Sequence, residues 1–140
     1  MTDAPSGDPA RAPEEGLVAW THVIYGLHAL AVLIGVTGAA TVVGAFVFSL
    51  PSMVAVVLSY LKRGEAQGTF LASHYRWLIR TFWFAVLWGA IALFITLVLV
   101  LTIVGILVAW LPVLVVGAWL IYRVARGWLA LKDARPVGPA

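Results

Sequence analysis

Two long stretches without a formal charge dominate the chain. Gly16 to Leu61 holds no Asp, Glu, Lys or Arg over 46 residues, and Thr81 to Tyr122 holds none over 42. A single membrane span needs about 20 apolar residues, because a helix rises ~1.5 Å per residue and the hydrocarbon core is ~30 Å thick. Each block is therefore about twice a span long and has to fold back on itself. A soluble domain is excluded on the same ground. Of all residues 63% are hydrophobic and 11% charged, too few polar side chains to cover a globule of this size. The same composition excludes a disordered chain, and the absence of cysteine excludes a disulfide scaffold and a thiolate metal site. The expected class is an all-α integral membrane protein with four transmembrane helices arranged as two helical hairpins.

Helix breakers locate the reversals. In the first block Gly35, Gly38, Gly44 and Pro51 place the turn between residues 36 and 51. Proline suits the first position of a helix, where its missing N–H needs no partner. If Pro51 opens the second helix, only about a dozen residues remain before Lys62. That makes the span short, and the first helix long and softened by glycine. Gly105 and Pro112 bracket the second reversal and predict helices near 78–103 and 112–131. Residues 1–16, with three prolines and a net negative charge, read as an uncleaved disordered tail, since a secretory signal would carry bases there. Thr2 and the lack of cysteine exclude the common lipid anchors. Residues 17–131 are the expected four-helix transmembrane domain, and residues 132–140 a second disordered tail.

The bases set the orientation. Arg11 lies in the first tail, Lys62, Arg63, Arg76 and Arg80 between the two blocks, and Arg123, Arg126, Lys132 and Arg135 after the second. Four spans put all nine on one side, as the positive-inside rule prefers; three spans would split them. Trp20, Tyr60, Trp77, Trp83, Tyr122 and Trp128 fall near that cytoplasmic edge and Trp110 near the opposite one, where amphipathic rings settle. Trp88 and Trp119 lie deeper and are expected to pack between helices.

His22 and His28 form a candidate intramembrane polar site. With a helix starting near Leu17, His28 lies about eleven residues in, roughly 16 Å deep, and an ionisable group at that depth is a functional candidate. One reading is a neutral histidine bonded to a hydroxyl such as Ser59 or Thr96 on another helix; the other is a proton or ion pathway. A spacing of six turns the two rings about 120° apart, which argues against a shared metal.

Arg76, Arg80, Arg123 and Arg126 form a candidate rim for an anionic lipid headgroup or an acidic partner, because arginine matches phosphate geometry. Around the first pair, Ser73, Arg76 and Arg80 share a helical face beside an apolar arc of Phe70, Leu71, Trp77 and Leu78. The alternative is an ordinary charge-anchored helix end with snorkelling side chains. The small-residue pairs Gly35/Ala39, Ala40/Gly44 and Ala85/Gly89 are spaced for close helix packing. No glycine-rich phosphate loop or serine elbow occurs. Glu65 is the lone acid between Gly16 and Lys132, so an intramembrane carboxylate pair cannot form. Neither an enzyme nor a cofactor is expected, and no basic groove with stacking aromatics suggests nucleic acid.

Three segments carry a family resemblance: Ser73-His74-Tyr75-Arg76-Trp77 through Arg80-Thr81-Phe82-Trp83, then Tyr122-Arg123-Val124-Ala125-Arg126-Gly127-Trp128, with His28-Ala29-Leu30 in the first block. Over roughly residues 17–136 the chain resembles small uncharacterised proteobacterial membrane proteins, distantly related to the chloroplast inner-envelope import-translocon component. The resemblance implies four helices, self-association and a bacterial inner (cytoplasmic) membrane, and it carries no activity over. Both termini are expected to be cytoplasmic. The expected function is a non-enzymatic inner-membrane protein acting through helix packing with partner membrane proteins or a second copy, with the lipid bilayer and anionic lipids as further partners. The alternative is a small channel or carrier subunit with His28 on the pathway.

Overall fold

The computed structural model describes residues 12–38 and 49–138, and among them it contains five helices and no strand. They are α1 (Glu15–Gly38), α2 (Leu50–Lys62), α3 (Leu71–Val100), α4 (Ile103–Val108) and α5 (Leu111–Lys132). Three stretches are apolar and long enough to cross a membrane: Glu15–Gly35, Leu71–Val100, and Ile103–Lys132, which joins α4 to α5. The α2 helix, at 13 residues, is shorter.

Local chemistry accounts for the ends. Glu15 opens α1, where a negative charge suits the helix dipole. Prolines sit in the first turns of α2 and α5, and Pro51 limits α2 to the dozen or so residues that its position predicts. The first reversal, with Ala39, Ala40 and Gly44, lies outside the described residues. Between α2 and α3 the chain runs through successive tight turns, and Gly68 takes the left-handed backbone (φ 77°) that one of them requires. The α3 helix starts at Leu71, earlier than the expected residue 78. The apolar arc of Leu71, Tyr75 and Leu78 is buried, and this docking holds the charged stretch helical.

The second reversal is tighter and earlier than the Gly105–Pro112 bracket suggests. It turns at Leu101–Thr102, and α4 begins at once. The Thr102 hydroxyl caps α4 by accepting from the Gly105 N–H at 2.9 Å. Gly105 packs so closely on the preceding turn that a Cβ there would overlap the Leu99 carbonyl oxygen. One turn down, the Thr96 hydroxyl donates to the Ala109 carbonyl at 3.1 Å and closes the hairpin.

The helices form a ring in which α1 packs on α2 and α5, and α3 packs on α2 and, most extensively, on α5. The buried positions of α1 (Leu17, Thr21, Ile24, Tyr25, His28, Ala31, Val32 and Gly35) recur at helical spacing and make one inward stripe. Two clusters fill the interior. One joins Ala31 and Val32 to Phe82, Ala85 and Ala92 of α3 and to Val116, Leu120 and Val124 of α5. The other joins Ile24, Tyr25 and Ala55 to Leu71, Tyr75, Leu78 and Leu131. Ala85 is thus at a close helix contact, as its spacing with Gly89 suggests.

All charges of the described residues collect at the end of the bundle where α1 and α3 begin and α2 and α5 finish. The aromatic residues follow in part. Trp20, Tyr60, Trp83, Tyr122 and Trp128 are exposed near that end and Trp110 near the opposite one. Trp77, expected at the edge, is buried because Arg123 covers its ring, whereas Trp88, expected between helices, is 46% exposed on the outer face.

Replacing Gly105 by alanine should destabilise the fold by about 1–3 kcal/mol, the usual cost of overpacking. Val104→Ala, one residue away on an exposed side chain, should leave the midpoint unchanged. Thermal unfolding followed by circular dichroism in detergent checks both.

Candidate functional site

The helix stripe of α1 places Thr21 and Tyr25 one turn apart, facing the first two turns of α3. The Thr21 hydroxyl donates to its own Leu17 carbonyl at 2.8 Å and lies 3.1 Å from the Tyr75 hydroxyl. Tyr25 reaches Nδ1 of His74 at 3.0 Å, and Nε2 of the same ring lies 2.7 Å from the Arg135 carbonyl. A carbonyl can only accept, so Nε2 carries the proton and Nδ1 accepts from the Tyr25 hydroxyl. His74 thereby ties α1, α3 and the segment after α5 together. Phe70 and Tyr25 meet its ring edge-on, at 5.9 Å each.

The backbone after α5 is shaped for this contact. Ala134 takes a left-handed conformation (φ 50°), the Ala134 N–H bonds the Leu131 carbonyl, and the Arg135 N–H bonds the Ala130 carbonyl. This Schellman arrangement is normally built on glycine. It turns the chain back so that the Val137 N–H donates to the Ser73 hydroxyl at 3.1 Å. The segment after Lys132 has no regular secondary structure through residue 138, and these bonds fix it on α3.

Gly127 lets the tyrosine fit. A Cβ at that position would meet the Tyr25 hydroxyl at 2.5 Å. The small residue of the Arg126-Gly127-Trp128 run is therefore a packing notch on α5.

A second polar group lies beside the first. Arg123 is 7% exposed, its Nε donates to the Thr81 hydroxyl at 2.9 Å, and its carbonyl accepts from the Trp77 indole at 3.1 Å. The guanidinium lies 3.9 Å above the Trp77 ring and 5.2 Å from that of Trp119. Arg126, which donates to the Tyr122 hydroxyl, also approaches Trp77, at 5.6 Å. Arg80 and Arg123 share Phe84, at 5.6 and 6.0 Å.

The structure thus regroups the expected rim. Arg80, Arg123 and Arg126 gather round shared aromatic rings, with Arg123 buried rather than snorkelling. Arg76 is exposed and instead lines a groove with Arg63 and Arg80. The two histidines of the candidate polar site are separated. His22 sits at the charged end, where its Nδ1 accepts from the Trp128 indole at 3.2 Å. His28 is fully buried, facing the Ile24 carbonyl one turn back. The hydroxyls weighed as its partners donate elsewhere, Ser59 to the Ala55 carbonyl and Thr96 to that of Ala109. Among the described residues no group of three His, Cys, Asp or Glu side chains could hold a metal.

Tyr25, Tyr75 and Thr81 are absent from the expected site. A signal exists for the first: Thr21, Tyr25 and His28 recur at spacings of four and three, a polar stripe within an otherwise apolar helix. Comparison with protein families, curated proteins and solved structures gives no match.

Gly127→Ala should cost about 1–3 kcal/mol by displacing Tyr25. Combining it with Tyr25→Leu should cost less than the sum of the two single changes, because the smaller side chain frees the notch. A double-mutant cycle of unfolding midpoints in detergent measures the coupling.

Proposed function

We propose that the chain is an integral membrane protein of two helical hairpins that acts without catalysis, by packing against partner membrane proteins or a second copy. The observation that carries this reading is the inverted distribution of polarity. The most apolar stretch of α3 has a mean hydropathy of 2.5 and is only 11% buried. Exposed large side chains cover its length, Leu87, Leu93, Phe94 and Leu97 among them. Inside, Thr21, His74, Thr81 and Arg123 are buried and hydrogen-bonded, Thr21 to Tyr75, His74 to Tyr25, and Arg123 to Thr81. Water would reject that exterior, and lipid accepts it.

In this reading the charged end faces the cytoplasm of a bacterial inner membrane, both termini lie there, and the α3–α4 reversal lies outside. The buried polar groups at the charged end serve cohesion. Helices surrounded by lipid gain little from the hydrophobic effect and are joined by close packing and interhelical hydrogen bonds. On the outer face of α3 and α5, Trp88, Val115, Val116 and Trp119 line an apolar cleft of about 270 Å³, a place for a side chain of a neighbouring helix.

The natural absence of cysteine gives a clean background for topology mapping. Gly64→Cys should react with an impermeant thiol reagent only after the cytoplasmic face is opened, and Val104→Cys should react in intact cells. Labelling of both from one side would overturn the topology. A photo-crosslinking residue at position 88 should trap a second copy or another membrane protein in native membranes; adducts with lipid alone would sink the packing role. Liposome flux separates the channel alternative: conduction abolished by His28→Ala would replace the present reading.

A further inference from the structure

Arg123 is charged and buried, and among the described residues it has no counter-ion. Besides its bond to Thr81, its Nη2 is buried with no hydrogen-bond partner among the described residues. The charges that bear on it most are Arg80 and Arg126, both of the same sign. The carboxylates that form ion pairs are engaged elsewhere, Glu65 with Lys62 and Asp133 with Arg135. A buried guanidinium with an unsatisfied N–H, flanked by two further cations, is an expensive arrangement unless an anion completes it.

We propose that Arg123 and Arg126, which share Trp77, and Arg80, which shares Phe84 with Arg123, form a binding site for a phosphate oxyanion, supplied by the headgroup of an anionic phospholipid. Shared rings bring Arg80 and Arg126 each beside Arg123, close enough for both charges to act on it. Trp77 lies under both Arg123 and Arg126, and Phe84 between Arg80 and Arg123. Arginine offers paired donors in the fork that phosphate oxygens accept. Arg80 and Arg126 are exposed and reach the ligand from outside, while Arg123 supplies the fixed, desolvated charge.

The depth fits the lipid source, and here the proposal rests on the membrane reading given above. Arg80 and Arg123 are each about twenty residues from the reversal at Leu101–Thr102, roughly 30 Å of helix. That is one hydrocarbon thickness, so with the reversal at one surface the arginines meet the phosphate layer of the other. The groove that Arg80 shares with Arg63 and Arg76, about 510 Å³ in volume, has room for the rest of the headgroup.

Native mass spectrometry of the full chain in mild detergent tests the site, with phosphatidylglycerol, phosphatidylcholine of the same acyl chains and inorganic phosphate as separate probes. Phosphatidylglycerol should be retained about tenfold or more over phosphatidylcholine. The exposed pair Arg80→Gln and Arg126→Gln together should abolish the preference while the melting curve keeps its cooperative shape. Arg123→Lys, which keeps the charge and loses the fork, should weaken it. Equal retention of the two lipids by the unaltered chain overturns the proposal, as does a preference that survives the double substitution. Release of the chain from vesicles by alkaline carbonate would overturn the membrane reading separately. In that event a melting temperature raised by inorganic phosphate, in the unaltered chain and not in the double variant, retains the site with free phosphate as its ligand; no rise overturns it.

Discussion

The hydrogen-bonded layer centred on Tyr25 and His74 is the feature on which the charged half of the bundle depends. The Tyr25–His74 bond joins α1 to α3, lies in the notch of Gly127 on α5, and places His74 to hold the Arg135 carbonyl. Around it Thr21 meets Tyr75, the Trp77 indole holds the Arg123 backbone carbonyl, and the Thr81 hydroxyl holds the Arg123 side chain at Nε. An interhelical hydrogen bond in a membrane is worth about 0.6 kcal/mol on average, so no single member dominates. These bonds concentrate in one layer, at the end where every described charge lies. Toward the α3–α4 reversal Ala31, Ala85 and Ala92 pack in a common apolar cluster, and the hydrogen bond from Thr96 to the Ala109 carbonyl closes the hairpin.

The gross architecture was legible because it depends on charge and length. The two uncharged blocks, the short helix opened by Pro51 and the convergence of all described charges at one end follow from rules that need no partner residue. The second reversal was misplaced by a few residues because Gly105 does not break a helix there. It admits the Leu99 carbonyl, a contact invisible without the turn itself. Trp77 and Trp88 exchanged roles for a similar reason. Periodicity marks Trp77 as apolar-facing, but only the position of Arg123 on α5 makes that face a buried cation–π contact.

The candidate site was legible by residue type and illegible by grouping. Four arginines near two helix ends could be read as a rim, yet a rim treats them alike. The antiparallel pairing of α3 and α5 brings Thr81 level with Arg123, so that one arginine is drawn inward by a hydroxyl and an indole. Its neighbours Arg80 and Arg126 remain outside, and Arg76 joins Arg80 and Arg63 along an adjoining groove. Such sorting depends on the register between two helices separated by forty-odd residues, and composition holds no trace of it. His22 and His28 were separated by the same logic, one belonging with Trp128 and the other with the core.

The ring of His74 is served by Tyr25, 49 positions before it, and by Arg135, 61 positions after it. The two partners bracket the ring from opposite directions in the sequence, so one imidazole closes a loop through each half of the chain. The residues that turn back through Ala134 therefore belong to the bundle: they supply the acceptor for a buried ring nitrogen.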